Sequence, residues 1–324
     1  MKIIFMALHP ARSGVFLVLF LFSLSALAQK IPVLFSHQNC SSAFVVCSIS
    51  SQPSEGSLCN SACCCSTGPG CCKNQLNGTN SCFTGGLTRW GFYMFSIEQS
   101  GTLTFQIKPQ GGFFGSDNYN FALFDVSNGC GSLGNALRCS ISDDGGAGNP
   151  TGLNMTATDT SEGTGGDDWC KYLNAQCGHT YILCLDIPSN GSSGFDLSFG
   201  GTCTFGAPAG FSASPDTVCA GQPVNFSLNC NVTNAFITYS WNFGPNATPT
   251  TYTGQTPPAV TFSTTGNQNI TLTSTFTAGK SCTNSSSQNV FVTAGVPTSP
   301  FTVSSPVCLG TNATVSYEIG RAHV

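Results

Sequence analysis

The sequence is poor in charge. Lysine, arginine, aspartate and glutamate together make up 7% of its 324 residues, against about 25% in an ordinary soluble domain. The basic residues between Pro32 and Tyr317 are few and scattered: Lys73, Arg89, Lys108, Arg138, Lys171 and Lys280. Because binding to a phosphate backbone requires clustered lysine and arginine, this distribution excludes nucleic acid as a partner.

The sequence also lacks the residues of a nucleophilic hydrolase site. Outside residues 1–28 and 318–324, histidine occurs only as His37 and His179, and no Gly-x-Ser-x-Gly sequence is present. A glycosidase needs two carboxyl groups across one cleft, about 5 to 10 Å apart, and nothing in the sequence places a pair in this way. We therefore predict that the chain is not an enzyme.

Residues 1–28 are predicted to be a signal peptide. Two basic residues precede the apolar run Val15–Phe22, and the small-residue sequence Ala26-Leu27-Ala28 follows it. The run is short for a bilayer span, so we expect export, cleavage and no transmembrane segment afterwards. The first cysteine, Cys40, does not follow the cleavage site directly, which argues against a lipid anchor.

All 19 cysteines follow the predicted cleavage site, where an oxidising compartment would pair most of them. An insert at residues 59–82 is dense in cysteine and has almost no apolar residues, so covalent bonds must hold it. A zinc or iron–sulfur cluster is the alternative, but paired Cys-x-x-Cys knuckles are missing, and we predict a disulfide-stapled loop. Cys130 and Cys139 flank a glycine-rich loop and are candidates to close it. The odd total leaves at least one cysteine unpaired.

Three apolar segments joined by two breaks dominate the first part of the chain: Trp90–Phe95, Thr102–Lys108 and Asn118–Phe124. The first is apolar on both faces, as in a strand between two layers. The second alternates, with Leu103, Phe105 and Ile107 on one face. We predict a β-meander that packs against a second sheet.

Further strands are predicted at Ala43–Cys47, Tyr181–Leu185 and Phe195–Phe199. Abundant Gly, Ser, Thr and Asn, together with 25 phenylalanines, are typical of short strands joined by polar loops in an all-β extracellular domain. We predict a disulfide-rich, jelly-roll-like β-sandwich of about seven to ten strands over residues 29–205.

Composition changes at Gly206–Gly210, which we interpret as a linker. From there to Tyr317 only Asp216 and Lys280 are charged, whereas ten of the 14 acidic residues lie between Asp117 and Asp196. The two halves are therefore predicted to be different modules.

An internal repeat divides the second half. Val218-Cys219-Ala220-Gly221 is followed by a similar sequence, Val307-Cys308-Leu309-Gly310, and the two cysteines are 89 positions apart. This is about the length of a small immunoglobulin-like sandwich. We predict one domain at residues 206–295 and the start of a second at 296–317.

Three stretches of the predicted domain carry a resemblance: Tyr239–Gly244, Thr265-Gly266 and Asn269–Thr273. They resemble the polycystic-kidney-disease (PKD) repeat, whose motif is Trp-Asp-Phe-Gly-Asp-Gly. This chain has Asn242 in place of the first aspartate and Pro245-Asn246 in place of Asp-Gly. The resemblance implies an Ig-like sandwich that serves as an extracellular spacer or adhesion unit, with Trp241 in its core.

Four stretches of the first half carry a second resemblance: Trp90–Tyr93, Gly101–Phe105, Asp117–Leu123 and Gly194–Phe199. They are similar to the amino-terminal β-sandwich of large secreted or surface proteins of Bacteroidetes-type bacteria. Such proteins often carry PKD repeats and end in a sorting domain for gliding or type-nine secretion. The resemblance implies an adhesin-like protein at the cell surface.

The closing residues Glu318–Val324 look like translated sequencing-library adapter. On this hypothesis the reading frame leaves the gene near Tyr317 and the chain is a fragment. Cys308 would then lack the rest of its domain, which explains the odd cysteine. Resequencing that continues the same codons into a full second repeat would contradict the hypothesis.

Five aspartates in glycine-rich loops are candidate calcium ligands: Asp117, Asp143, Asp144, Asp167 and Asp168. Calcium prefers six to eight oxygen ligands, which paired loop carboxylates can supply. The competing interpretation is solvated loop acids, since turns favour aspartate, and no EF-hand or nonapeptide pattern is present. Calcium is the one cofactor that the sequence suggests.

The function expected from these features is non-catalytic adhesion or display outside the cell, with β-sandwiches that space a binding domain from the surface. The alternative is an accessory region, carbohydrate- or protein-binding, of a secreted hydrolase whose catalytic domain lies beyond this fragment. An extracellular polysaccharide or protein surface is the expected partner. Phe113-Phe114 is a candidate carbohydrate contact, although such a pair more often tucks into the edge of a sandwich.

Overall fold

The computed structural model describes residues 40–49, 54–55, 59–60, 76, 80–83, 87, 89–110, 118–143, 148–187 and 194–294. The predicted signal peptide, most of the cysteine-rich insert, Phe113-Phe114, the predicted start of a second domain at 296–317 and the closing residues 318–324 lie outside the described residues.

Two sheets form the first sandwich. A short 3-10 helix, Cys40–Ser42, precedes the eight strands of the first sheet: β1 (Phe44–Val45), β3 (Cys59–Asn60), β4 (Arg89–Gln99), β6 (Asn120–Asp125), β7 (Arg138–Ser140), β9 (Ser161–Glu162), β12 (Thr180–Asp186) and β14 (Thr204–Phe205). The second sheet has six strands: β2 (Ser54–Glu55), β5 (Gly101–Pro109), β8 (Thr151–Asn154), β10 (Trp169–Lys171), β11 (Leu173–Ala175) and β13 (Phe195–Gly201). The eight and six described strands exceed the seven to ten that the sequence predicts. Strands of two or three residues are too short to show a periodicity, so the sequence does not reveal them.

Strand β4 lies between two apolar layers, as its sequence predicts. Tyr93 and Phe95 belong to the core between the two sheets. Phe92 and Met94 belong to a separate cluster, which they share with Val45 of the amino-terminal segment. Both faces of the strand are therefore covered, and the prediction for Trp90–Phe95 is confirmed.

The predicted β-meander is wrong. Strands β4 and β6 both pair with β12 in the first sheet, whereas β5 pairs with β8, β11 and β13 in the second. The chain passes from one sheet to the other after Gln99, through the single residue Ser100. Since β4 already pairs with β1, β3, β12 and β14, β5 has no place beside it. The buried face of β5, predicted from the alternation of Leu103, Phe105 and Ile107, instead packs against the first sheet as part of the second sheet.

Aromatic rings fill the space between these two sheets. Phe95 stacks on Phe205 with ring centroids 4.4 Å apart, and Phe105 meets Phe121 edge-on at 5.0 Å. Burial of one such side chain contributes about 1.5–3 kcal/mol to folding. The interior of this sandwich thus accounts for part of the high phenylalanine content of the chain, and other buried phenylalanines lie in the second sandwich.

Cys130 and Cys139 do not close the loop between them, contrary to the sequence interpretation. Cys40 bonds to Cys130, and Cys82 bonds to Cys139. Cys130 follows β6 and Cys139 lies in β7, so both bonds attach the amino-terminal part of the chain to this region of the first sheet. Spacing along the chain could not reveal this, because the bonded cysteines are 90 and 57 residues apart and meet only in the folded chain.

Two further sheets form the second sandwich. One contains β15 (Phe211–Ser214), β17 (Pro223–Leu228), β19 (Ala247–Thr248) and β21 (Val260–Phe262). The other contains β16 (Thr217–Cys219), β18 (Ile237–Asn242), β20 (Thr251–Thr253), β22 (Gly266–Ala278) and β23 (Lys280–Thr293). Strands β22 and β23 form a long antiparallel hairpin that is paired along its full length. In β17 and β18 every second side chain is buried, as expected for sheets with one solvated face.

Trp241 is the centre of the second sandwich. Its side chain is 1% exposed, and its ring meets Phe211 edge-on at 5.1 Å and stacks on Phe243 at 5.9 Å. The indole Nε1 donates a hydrogen bond to the carbonyl of Gly254 at 3.0 Å. The only polar atom of the ring is therefore satisfied, and the prediction that Trp241 lies in the core is confirmed.

The predicted fold class is confirmed: the described residues form an all-β, disulfide-rich sandwich followed by an Ig-like sandwich. In this part of the chain, no helix has the length and hydropathy needed to cross a bilayer. The predicted domain limits, including 206–295, stay predictions.

Candidate functional site

The connection between the two sandwiches is buried and hydrogen-bonded, although its composition predicts a linker. Ala207 and Ala209 are 0% and 2% exposed. The carbonyl of Ala207 accepts hydrogen bonds from the hydroxyl of Ser274 and the amide of Asn284, at 3.0 and 3.2 Å. The carbonyl of Ala209 accepts one from Ser286. Because its backbone polar groups are bonded to the second sandwich, this segment cannot swing as a free linker would.

Two disulfides join the sandwiches at other points. Cys47, next to β1, bonds to Cys282 in β23, and Cys177, in the turn before β12, bonds to Cys230, which follows β17. The Cα atoms of these pairs are 5.5 and 5.7 Å apart, within the usual range for a disulfide. The described residues all belong to one compact unit, Pro32–Val324. We use the name joint for the connecting residues 206–210, the disulfides Cys47–Cys282 and Cys177–Cys230, and the hydrogen bonds between the two sandwiches.

Hydrogen bonds reinforce the joint beside Cys177–Cys230. Asn234 donates its side-chain amide to the carbonyl of Gly178 at 2.7 Å and to Oγ1 of Thr180 at 2.8 Å. The backbone amide of Ala235 donates to the carbonyl of Ser127 at 2.8 Å. Gly178 has a φ of +81°, and a Cβ there would lie 3.2 Å from a side chain of the second sandwich. Both the backbone conformation and the close approach favour glycine at this position.

A polar network supports the same side of the joint. Nδ1 of His179 lies 2.6 Å from Oδ2 of Asp125, and the hydroxyl of Ser127 donates to Oδ1 of Asp125 at 2.6 Å. The backbone amide of Thr180 donates to the Ser127 hydroxyl at 3.0 Å. In a nucleophilic triad the serine would face the imidazole, whereas here it faces the carboxylate. This arrangement fixes the loop that meets Asn234.

Described residues next to the predicted calcium ligands are hydrogen-bonded to one another at another part of the first sandwich. Asn118 donates its side-chain amide to the carbonyl of Ser142 at 2.8 Å, and the Ser142 hydroxyl donates to the carbonyl of Gly166 at 2.6 Å. These contacts join the described residues Asn118, Ser142 and Gly166. Asp143 and Asp167 are exposed, Asp168 is buried with a φ of +74°, and Asp117 and Asp144 lie outside the described residues.

Glu162 is a carboxyl group in this region that the sequence interpretation missed. The protonated carboxyl group of Glu162 donates a hydrogen bond to the Asp159 side chain. This bond, burial and the negative charges of Asp159 and Asp167 together raise the pKa of Glu162 from its ordinary value of 4.5 to about 7. Its Oε2 accepts a hydrogen bond from the backbone amide of Asp167 at 3.2 Å. Glu162 is buried in β9 while Asp159 and Asp167 are exposed, so a pKa of about 7 leaves Glu162 about half protonated beside two negative charges at neutral pH. Among the residues that the structure describes, no group of three or more side chains has the geometry of a metal site, and the calcium site stays a prediction.

Comparison with known families identifies the second sandwich. The family model of the PKD domain matches residues 207–292. The chain contains a PKD domain. A search of curated proteins found no match for the chain. The resemblance inferred from Trp241, Asn242 and the strands around them is therefore confirmed for this part of the sequence.

The structure explains how the PKD domain accommodates its altered motif. Oδ1 of Asn242 accepts a hydrogen bond from the backbone amide of Gly244 at 3.0 Å, and Gly244 has a φ of +90°. An amide oxygen forms this turn as a carboxylate oxygen would. The Asp-to-Asn change therefore preserves the turn after β18 while removing one charge from the PKD domain.

Two unpaired thiols of the described residues are buried in the first sandwich. Burial raises the pKa of Cys170 to about 12 and that of Cys203 to about 11. The thiol of Cys170 donates to the carbonyl of Cys139 at 3.3 Å. Because the thiolate is the reactive form, both groups are packed as small apolar side chains and are poor nucleophiles.

Proposed function

We propose that the chain is a non-catalytic extracellular protein for adhesion or display, in which the first sandwich and the PKD domain act as one stiff spacer. The observation that supports this proposal is the joint. Two bodies joined by a single chain segment reorient readily. Here Cys47–Cys282 and Cys177–Cys230 add two covalent connections, and each removes rotational freedom between the sandwiches.

The composition and bonding of the chain support an extracellular location. Four disulfides have both partners among the described residues, and such bonds persist in oxidising compartments. The PKD match at residues 207–292 agrees with a β-sandwich module of the extracellular kind. Export through residues 1–28 and a Bacteroidetes-type origin belong to the same proposal.

Adhesion without catalysis is testable with the full oxidised chain. Microspheres coated with it should be retained under flow on extracellular polysaccharide or protein surfaces, while microspheres coated with the reduced and alkylated chain should wash off. The same preparation should release neither sugars nor peptides from those surfaces. Product release, or retention no greater than for the alkylated control on every surface, would contradict the proposal.

The runner-up is an accessory region of a secreted hydrolase. It shares the PKD domain with the first proposal but predicts a catalytic domain encoded further along the gene. Independent sequencing beyond codon 317 distinguishes the two, because further PKD repeats and a sorting domain would favour adhesion. The same experiment tests the interpretation of Glu318–Val324 as adapter sequence.

A further inference from the structure

The outer face of the five-stranded sheet in the PKD domain is polar and free of charge. Every second side chain of β22 from Asn267 to Thr277 points outward, and each of these is Asn or Thr. The outward residues of β23 from Ser281 to Asn289 are Ser, Thr and Asn. On the neighbouring strand β18 the exposed positions are Thr238, Ser240 and Asn242. All of these residues are described, and none carries a charge.

Cross-strand hydrogen bonds hold these side chains in place. Oxygen atoms of Thr271 and Ser287 are 3.1 Å apart, and Asn269 donates to Asn289 at 3.1 Å. Strand geometry spaces such groups about 4.8 Å apart across the sheet and about 6.8 Å apart along it. Each hydroxyl that makes one such bond keeps capacity for another, so the face presents a regular set of fixed donors and acceptors.

An exposed aromatic ring lies on this same face. Phe291 is 44% exposed, whereas its neighbours Val290 and Val292 point into the core. Its register partners are Asn267 on β22 and Thr217 on β16, so polar groups border the ring on both sides. A sugar ring has an apolar C–H face and hydroxyl groups around its edge. The flat aromatic ring of Phe291, beside fixed amide and hydroxyl groups, is complementary to both features.

We propose that this face binds a neutral polysaccharide, with Phe291 stacked on a sugar ring and the hydroxyl and amide side chains of β22 and β23 bonded to its hydroxyls. The inference rests on the proposed adhesive function and names its surface. An anionic or cationic polymer would find no opposite charge among the outward side chains of β18, β22 and β23 described above. Short side chains already held by neighbours lose little conformational entropy on binding, which favours recognition by many weak polar contacts.

The test is depletion binding of the full chain to insoluble cellulose, chitin and curdlan, with alginate as the anionic comparison. The chain should be retained on at least one neutral polymer and not on alginate. Phe291→Ala should weaken that binding about tenfold, because the variant no longer buries the apolar surface of an aromatic ring against the sugar. Thr273→Lys, which places a charge in the middle of the hydroxyl rows, should weaken it as well.

Two matched controls keep the result specific. Apart from Phe291, the exposed large apolar side chain among the described residues is Met155, which lies on the first sandwich and is 58% exposed. Met155→Ala removes it. Ser227→Lys adds the same charge to the outer face of the opposite sheet, where Ser227 is exposed. Both should bind as the unmodified chain does, and all four variants should keep its melting temperature.

Each result decides one question. Equal binding by the Phe291→Ala, Thr273→Lys and control variants would overturn the assignment to this face. Absence of retention on every neutral polymer would overturn the inference as a whole. If the coated microspheres still adhered to a protein surface in that case, the proposed adhesive function would stand without the polysaccharide.

Discussion

Replacing Cys177 and Cys230 together by serine should destabilise the folded chain and loosen the joint. The bond closes a loop of 53 residues, and the chain-entropy relation gives such a cross-link about 4 kcal/mol of stabilisation at 25 °C. For a unit of this size, that free energy corresponds to a fall of about 10 °C in melting temperature. Cys47–Cys282 and the buried linker remain in the variant, so the sandwiches stay attached but gain rotational freedom.

The first sandwich offers a matched control. Cys82–Cys139 closes a loop of 57 residues, so its loss should destabilise the chain by about the same 4 kcal/mol. That bond lies within one sandwich and does not cross the joint. The two variants should therefore melt alike, while only the first should change the relative motion of the sandwiches.

Scanning calorimetry measures the stability, and pulsed electron–electron resonance measures the joint. Spin labels on unnatural amino acids at Thr158 and Thr264, both exposed and in different sandwiches, leave the cysteines untouched. The distance distribution should broaden in the Cys177/Cys230 variant and stay narrow in the Cys82/Cys139 variant. Identical distributions in the two variants would refute the argument that the cross-link restrains the joint.

Three further outcomes are expected. The pKa of Glu162 is raised to about 7, so the folded state holds a proton that the unfolded state releases near pH 4.5. The contribution of this group to the stability of the chain should therefore be complete below about pH 4.5. It should be lost as the pH rises from there through 7. The Glu162→Gln variant should lack this part of the pH dependence in urea melts. If the acidic loops bind calcium, millimolar calcium should raise the melting temperature, and Asp167→Asn should reduce that shift in calorimetry. Trp241→Phe should lower the unfolding free energy by about 2 kcal/mol, because it leaves a cavity and an unbonded carbonyl at Gly254.

Each of these expectations has a clear contrary result. An unchanged pH profile in the Glu162→Gln variant would mean that the carboxyl group is not desolvated beside Asp159. If calcium neither raised the melting temperature nor produced a heat of binding, the prediction that the acidic loops bind calcium would be wrong. A Trp241→Phe variant as stable as the unmodified chain would show that the indole nitrogen and its ring volume contribute nothing to the PKD core.

The local pattern of the chain predicts its strands well. Alternation places Leu103, Phe105 and Ile107 in the core, and a doubly apolar segment places β4 between two layers. The Trp241 motif identifies the PKD domain. These predictions succeed because burial of a strand face acts on residues two positions apart, a signal that the sequence displays directly.

Long-range pairing is where the sequence interpretation fails. The order β1-β4-β12-β6 depends on which edges are already occupied, and no local pattern records that. The same is true of Cys47–Cys282, whose partners are 235 residues apart. Glu162 stands alone between Ser161 and Gly163, and its raised pKa arises only when folding brings Asp159 and Asp167 beside it.

The Cys47–Cys282 bond also sets an order of events during biosynthesis. With export led by the amino terminus, Cys47 enters the oxidising compartment before Cys282, and in that interval Cys82, Cys130, Cys139 and Cys177 become available to it. Premature pairing among them would have to be reversed by thiol–disulfide exchange before the native bond could form. The maturation of this protein should therefore depend on an isomerase in the compartment where it is oxidised, because only the native pairing fastens the amino-terminal segment to the PKD hairpin.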